Sequence, residues 1–283
     1  MRIVIIGQEE PVYFSPFLRS IIEDKPKEVV LVVIAGSRGA GGHPKTFRQK
    51  LEYIYILWLI MEPFGFLRNL WIKLWQQVLY LLGPVGFLLD KRSVRGAARK
   101  YNIPVVFAED LNSQEFIHKL RQFSPDVVIN QTELLLKEEI LAVPEIGIIN
   151  RHASLLPHFR GRLASWWSHA EELHEYGVTI HFVDKEIDSG SIIMQKKFEI
   201  DPRVSYSKVL DILFKDATPL MLEALAKLDK PDFVPLPNMY HGTITYLFPT
   251  LKEVKAYRLL LKKRREGVYC FPLRNRPKYG GIS

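Results

Sequence analysis

Cysteine is almost missing from this chain: Cys270 stands alone among 283 residues. A single thiol excludes an intramolecular disulfide framework and any zinc site built on several cysteines, and it points to a reducing compartment. Long hydrophobic runs are missing too. The longest, residues 53–61, has nine residues, against the roughly 20 that a membrane-spanning helix needs. The opening Met-Arg-Ile-Val-Ile-Ile-Gly is too short an apolar stretch for a signal peptide. The glycines at 36–42 do not form a dinucleotide fingerprint, because no Gly-x-Gly-x-x-Gly opens a helix after a strand. They read as a hinge. Internal repeats and low-complexity tracts are lacking, and a hydrophobic content of 47% excludes wholesale disorder.

What the chain does have is charge, unevenly spread. The formal net charge is +8. Residues 1–44 are neutral, residues 45–100 carry ten bases and three acids, and residues 101–250 carry fourteen bases and twenty-one acids. Residues 251–283 return to ten bases and two acids. The basicity therefore belongs to two segments, with an acidic middle between them.

Strands and helices alternate along most of the length. Residues 3–6 and 28–35 read as buried strands with a helix over 14–22 between them. After residue 100, strands at 103–107, 126–129 and 146–149 alternate with helices at 113–123 and 133–141. A helix over 163–173, strands at 178–183 and 192–200, and one long helix over 205–226 follow. This order predicts an α/β fold with a Rossmann-like, mostly parallel sheet. Ligands of such sheets bind outside the carboxyl ends of the strands. Pro231, Pro235 and Pro237 mark a boundary between a catalytic domain, 1–230, and a small basic appendage, 231–283.

Residues 36–100 interrupt that alternation as a helical insertion. Between 51 and 89, 27 of 39 residues are apolar. Over 67–82 the polar Asn69, Lys73, Gln76, Gln77 and Tyr80 share one stripe, and Trp71, Leu74, Trp75, Val78 and Leu82 occupy the rest. Two roles suit such a helix. One is burial, in the protein's own core or a homodimer interface. The other is an interfacial anchor on the inner face of the membrane, with Arg92, Arg95, Arg99 and Lys100 meeting anionic lipid.

Two segments carry chemistry. Asn150-Arg151-His152-Ala153-Ser154-Leu155-Leu156-Pro157 starts where the 146–149 strand ends. Asn150 and His152, two apart in extended chain, point to one side. An amide beside an imidazole suits the polarising of a carbonyl and the stabilising of an oxyanion. The second segment, Gly177-Val178-Thr179-Ile180-His181 followed by Asp184 and Asp188-Ser189-Gly190, ends in an acidic turn where Gly190 can take a positive φ. A carboxylate such as Asp188 could hold His152 charged and relay a proton.

Together, and in this order, the two segments resemble the folate-dependent formyltransferase family, whose members act on methionyl-tRNA, glycinamide ribonucleotide or sugar nucleotides. The resemblance covers roughly residues 1–200 apart from the insertion. Ala153 stands where the family usually has Pro, and the segment after Ile129 lacks the family's usual Gly. The resemblance implies that Asn150 and His152 polarise the formyl carbonyl of 10-formyltetrahydrofolate. It implies that Asp188 pairs with His152 and assists proton transfer from the substrate amine. Folate contacts are implied for Asn130, Gln131, Thr132, Leu134, Asp184 and Gly190, and no metal is required.

The expected reaction is N-formylation of a primary amine. Methionyl-tRNA enzymes of the family normally add a second β-rich domain, and 52 residues follow Pro231, too few to supply it. The leading acceptor is therefore an amino sugar, nucleotide- or lipid-linked, at a cytoplasmic location on the inner leaflet. Methionyl-tRNA formylation, hydrolysis of formyltetrahydrofolate and a non-catalytic membrane or nucleic-acid adaptor are the alternatives.

Overall fold

The computed structural model describes residues 1–36, 46–171, 176–239 and 245–268. The hinge glycines beyond Gly36, the 240–244 connection, and Cys270 lie outside the described residues. The first βα unit is β1 (Ile3–Gly7), α1 (Phe14–Asp24) and β2 (Val29–Ala35). The insertion supplies α2 (Phe47–Leu81), α3 (Gly83–Leu89) and α4 (Val94–Lys100). Then come β3 (Val105–Ala108), α5 (Gln114–Gln122), β4 (Val127–Gln131), α6 (Glu138–Leu141) and β5 (Gly147–His152). The chain continues with β6 (Arg160–Gly161), α7 (Ala164–Ala170), β7 (Tyr176–Phe182), β8 (Ile192–Phe198), α8 (Tyr206–Lys215) and α9 (Ala217–Leu228). It closes with β9 (Thr245–Tyr246) and α10 (Leu251–Arg265).

Seven strands form one sheet in the order β3-β2-β1-β4-β5-β7-β8. The first five are parallel, and β7 and β8 add an antiparallel edge. Ile3 to Ile6 are wholly buried, as strands covered on both faces require. One face packs α1, α4 and α7 to α10 against residues such as Ile5, Ile129 and Ile180. The other packs α5 and α6 against Ile6, Val128 and Ile148. Val254, Tyr257 and Leu261 of α10 join the first of these cores, so the basic C-terminal helix packs on the sheet domain.

Two helices differ from the sequence reading. The 133–141 helix shrinks to α6, because Asn112 captures the preceding backbone: its Nδ2 donates to Leu135 O at 2.9 Å, and its Oδ1 accepts from Lys137 N at 2.7 Å. The long 205–226 helix divides at Asp216, which ends α8 and starts α9 while pairing with Lys196 at 2.8 Å.

The insertion begins on a capping box, Thr46 with Gln49. α2 bends at Glu62-Pro63, where Glu62 takes φ 59° and ψ 160°. Its second half lies close on α8: a Cβ on Gly65 would come within 2.6 Å of Ser207 Cβ. The sidedness of that half is the reverse of a helix that buries its apolar face. Arg68 makes a forked pair with Asp211 of α8 (2.6 and 3.0 Å) and donates to Tyr13 Oη (2.7 Å). Gln76 donates to Asp90, and Tyr80 donates to Glu9 at 2.8 Å. Arg68, Gln76 and Tyr80 are thus on the attached side together with the buried Leu79, whereas Lys73 and Gln77 of the polar stripe are exposed. Arg95 also turns inward, pairing with Glu9 and lying over the Tyr80 ring. Arg92 donates to the carbonyls of Pro11 and Val12. These two bases are spent on the protein itself, contrary to the lipid-facing role expected for them.

Candidate active site

The site lies where β5 leaves the sheet. Ile148 and Ile149 are buried on opposite faces, and the alternation carries on through Asn150, Arg151 and His152. β7 pairs antiparallel beside β5, with Asn150 opposite His181 and His152 opposite Thr179. Directly opposed residues share a face. Asn150, His152, Thr179 and His181 therefore occupy one patch, and Arg151 goes through to the other side.

The turn between β7 and β8 brings Asp188 onto this patch. Its Oδ2 lies 3.4 Å from His152 Nδ1, and its Oδ1 lies 3.6 Å from His181 Nε2. Oδ2 also accepts from Gly161 N at 2.8 Å. Asp188 takes φ 50°, so the left-handed residue of this turn is Asp188, and Gly190, expected to hold that conformation, does not. Gly190 serves close packing instead: a Cβ there would come within 2.0 Å of Phe182 O.

The outer nitrogens of both rings are committed to the main chain. His152 Nε2 lies 2.8 Å from Phe159 O, and His181 Nδ1 lies 2.7 Å from Phe182 O. A carbonyl only accepts, so each of these nitrogens carries hydrogen. In a neutral ring the nitrogen facing Asp188 is then bare, and its contact with the carboxylate becomes bonding when the ring is an imidazolium. Burial pushes His181 down to about 4, against the opposing pull of Asp188. It is therefore neutral at neutral pH, with a bare Nε2 toward Asp188.

Sequence reasoning nominated Asn150, His152 and Asp188, and the fold brings His152 to Asp188 with Asn150 one pleat away. It missed three contributors. His181 stood inside a quoted motif, but its register with Asn150 emerges only once β7 pairs with β5. Asn238 comes from the crossing segment before β9, where Nδ2 donates to Asp188 O (3.0 Å) and Gly190 O (2.8 Å). Phe159 O fixes the His152 ring. No local signal marks the last two.

The residues read as folate contacts fall in two groups. Asn130 and Gln131 end β4, next to β5, and both are buried. Thr132 Oγ1 donates to Asn130 Oδ1 at 2.9 Å and accepts from Leu134 N at 3.3 Å. That pair shapes the loop leaving β4. Asp184 accepts from Glu186 N and from Ser189 Oγ, and so folds the turn that carries Asp188. Gln131 Oε1 and Asn150 Oδ1 are buried with no hydrogen-bond partner, acceptors that a ligand N–H would satisfy. Among the described residues no group of three or more His, Cys, Asp or Glu could hold a metal ion.

An amide and two imidazoles around one half-buried carboxylate, at the carboxyl edge of a mostly parallel sheet, form an arrangement able to meet a developing oxyanion. Comparison with known proteins points the same way. Residues 86–225 match the formyl transferase family. Methionyl-tRNA formyltransferase of Thermotoga maritima is 32% identical over 163 residues, which are 56% of this chain and 51% of that protein. The Wolbachia pipientis enzyme of the same name is 37% identical over 143 residues, 50% of this chain and 48% of its own. The chain thus spans about half the length of the curated relatives it matches. In fold it is similar to a sugar N-formyltransferase from Shewanella (TM-score 0.55, 16% identity, covering 92% of this chain and 87% of that one). It is likewise similar to glycinamide ribonucleotide transformylase 1 from Symbiobacterium toebii (TM-score 0.54, 15% identity, 84% and 94%).

Proposed function

We propose that the chain moves a formyl group from 10-formyltetrahydrofolate to a primary amine. The observation that carries this reading is the pairing of His152 with Asp188 beside Asn150, whose buried carbonyl has no partner. The folate supplies the activated formyl group. Asn130, Gln131, Thr132 and Leu134 would line its ring, with the Asp184–Gly190 turn closing the site. Attack by a neutral amine on the formyl carbon places negative charge on the carbonyl oxygen and positive charge on the attacking nitrogen. The Asn150 amide can donate to that oxygen, and an imidazolium at His152 stabilises it through charge. Asp188, beside His152, can take the proton that the amine must lose; the bond from the formyl carbon to folate N10 would then break, and that proton would pass to the departing N10, leaving the formylated amine and tetrahydrofolate.

The acceptor proposed is an amino sugar, nucleotide- or lipid-linked. Support comes from the acceptor of the Shewanella enzyme that shares the fold and, for a lipid-linked acceptor, from the apolar surface of the insertion. That version places the protein peripherally on the cytoplasmic leaflet, through the 51–89 segment. No helix among the described residues is long and apolar enough to cross a membrane. The relatives named as methionyl-tRNA formyltransferases support tRNA as the second reading. The test is formyl transfer from 10-formyltetrahydrofolate to amino-sugar nucleotides, lipid-linked amino sugars and charged initiator tRNA in parallel. His152→Ala and Asp188→Ala should each lower turnover by about 10²-fold or more with the folded state retained. Unchanged turnover in either variant would remove that residue from the mechanism. Transfer to none of the three acceptors would defeat the acceptor assignment.

A further inference from the structure

We infer that the outward face of residues 64–82 is a docking surface for an anionic bilayer, on which the helix lies flat with Arg68, Gln76 and Tyr80 bonded to the protein behind it. This deepens the membrane part of the reading above. It rests on the face alone and not on the chemistry, so vesicle binding and formyl transfer can fail separately.

An amphipathic helix on a globular domain ordinarily turns its apolar stripe inward. Here Arg68, Gln76 and Tyr80 face inward and are bonded to Asp211, Asp90 and Glu9. Most of the apolar residues are left to solvent, Leu79 being the one that is buried. Trp71 is 67% exposed, Trp75 54% and Leu81 87%, and Leu67, Leu74 and Val78 are exposed with them. Isolated exposed apolar residues are ordinary, whereas a contiguous patch along five turns marks an interface. Trp71 and Trp75 stack one turn apart, with centroids 6.5 Å apart and rings 15° from parallel. Such a pair suits headgroup depth, where the indole N–H stays wet and the ring does not.

Charge selects the occupant. From Pro63 to Leu89 the sequence contains no Asp or Glu. The exposed ion on the face is Lys73, followed by Lys91 just beyond α3. A second copy docked through the same face by two-fold symmetry would set lysine near lysine with no carboxylate to pair. An anionic leaflet supplies the missing negative charge. α10 packs beside α2 and is tied to its bend by Arg258 and Arg265 on Glu62. α10 itself carries the exposed Lys252, Lys255, Lys262 and Lys263.

The test is co-sedimentation of the full chain with vesicles of phosphatidylcholine alone and with phosphatidylglycerol added, with sedimentation equilibrium run beside it. The expected result is binding to the anionic vesicles, weak binding to the neutral ones, and a loss of more than about tenfold in partitioning for the double variant W71S/W75S. Both side chains are exposed, so that variant should keep the circular dichroism and melting temperature of the parent. In the unaltered protein, lipids brominated near the headgroup should quench tryptophan fluorescence. Three results would overturn the proposal: no binding to anionic vesicles, equal binding by the double variant, or a dimer in solution that W71S/W75S dissociates. The last would give the face to a second copy.

Discussion

The side-chain nitrogen of Asn238 donates to the backbone carbonyl of Asp188 at 3.0 Å, across fifty positions of sequence, and to that of Gly190 at 2.8 Å. It is buried, and its own Oδ1 lies 3.3 Å from Arg160 Nη2. The turn that presents the carboxylate to His152 is thus held from outside. Asn238→Ala should lower the turnover of formyl transfer by about tenfold or more, with a stability loss of about 1–2 kcal/mol for the unsatisfied carbonyls. Asn238→Asp, which accepts but cannot donate, should behave in the same way. Steady-state kinetics decide this, and a parental kcat in both variants would show that the turn holds itself.

Gly190→Ala tests the other side of that turn. The added Cβ would stand 2.0 Å from Phe182 O, a backbone atom that cannot rotate away. Movement of the turn or of the β7 end should cost about 1–3 kcal/mol, measurable by urea unfolding. An unchanged midpoint would refute the close packing.

Two buried histidines set the acid limb of stability. Burial, with the Arg264 guanidinium nearby, pushes His169 down to about 3, and burial pushes His181 down to about 4. Both rings stay neutral in the folded chain while the unfolded chain takes up protons as pH falls through about 6.5. Stability is therefore full above 6.5 and is lost from 6.5 down to about 4 for His181 and about 3 for His169. At pH 5 each ring accounts for about 2 kcal/mol of that loss. His169→Gln should flatten the difference between urea unfolding at pH 7.5 and at pH 5 by that amount, and an equal slope in variant and parent would contradict it.

Arg151 is a buried cation without a counter-charge. It is 4% exposed, its guanidinium sits 3.9 Å from the centre of the Phe214 ring, and Nε and Nη1 have no acceptor. Burial pushes it down to about 9. Arg151→Met keeps the stem and drops the charge, and should raise stability at pH 7 by about 1 kcal/mol or more. A comparable fall in melting temperature would mean that the ring contact outweighs the cost of burial.

Much of the sheet was legible because its strands are continuous β-branched runs ending in polar residues. Asn150, His152 and Asp188 were legible because they fall in two ordered motifs of one family. What escaped has a common physical cause, which is partners distant in sequence. His181 gains meaning from its register with Asn150, and Asn238 from a segment that crosses back over the turn. The 67–82 helix was read as two-faced, yet periodicity cannot say which residues are attached: Gln76 and Tyr80 of the polar stripe turn inward, and Lys73 and Gln77 do not. That was decided by Asp211, Asp90 and Glu9, each positioned by a different element. The 133–141 helix failed for the same reason, since Asn112 claims backbone that the local pattern assigned to helix.

Glu62 holds a backbone conformation that residues with a side chain rarely adopt, at φ 59° and ψ 160°. Its carboxylate is gripped by Arg258 at 2.7 Å and by both Nη atoms of Arg265 at 2.7 and 2.8 Å. During synthesis these arginines emerge some two hundred residues after the helix they bend. Until they arrive, nothing else among the described residues pairs with Glu62, so the bend of α2 lacks its ionic brace while the second half is already able to bond to Asp211, Asp90 and Glu9. The corner of an early helix is therefore braced by a late one.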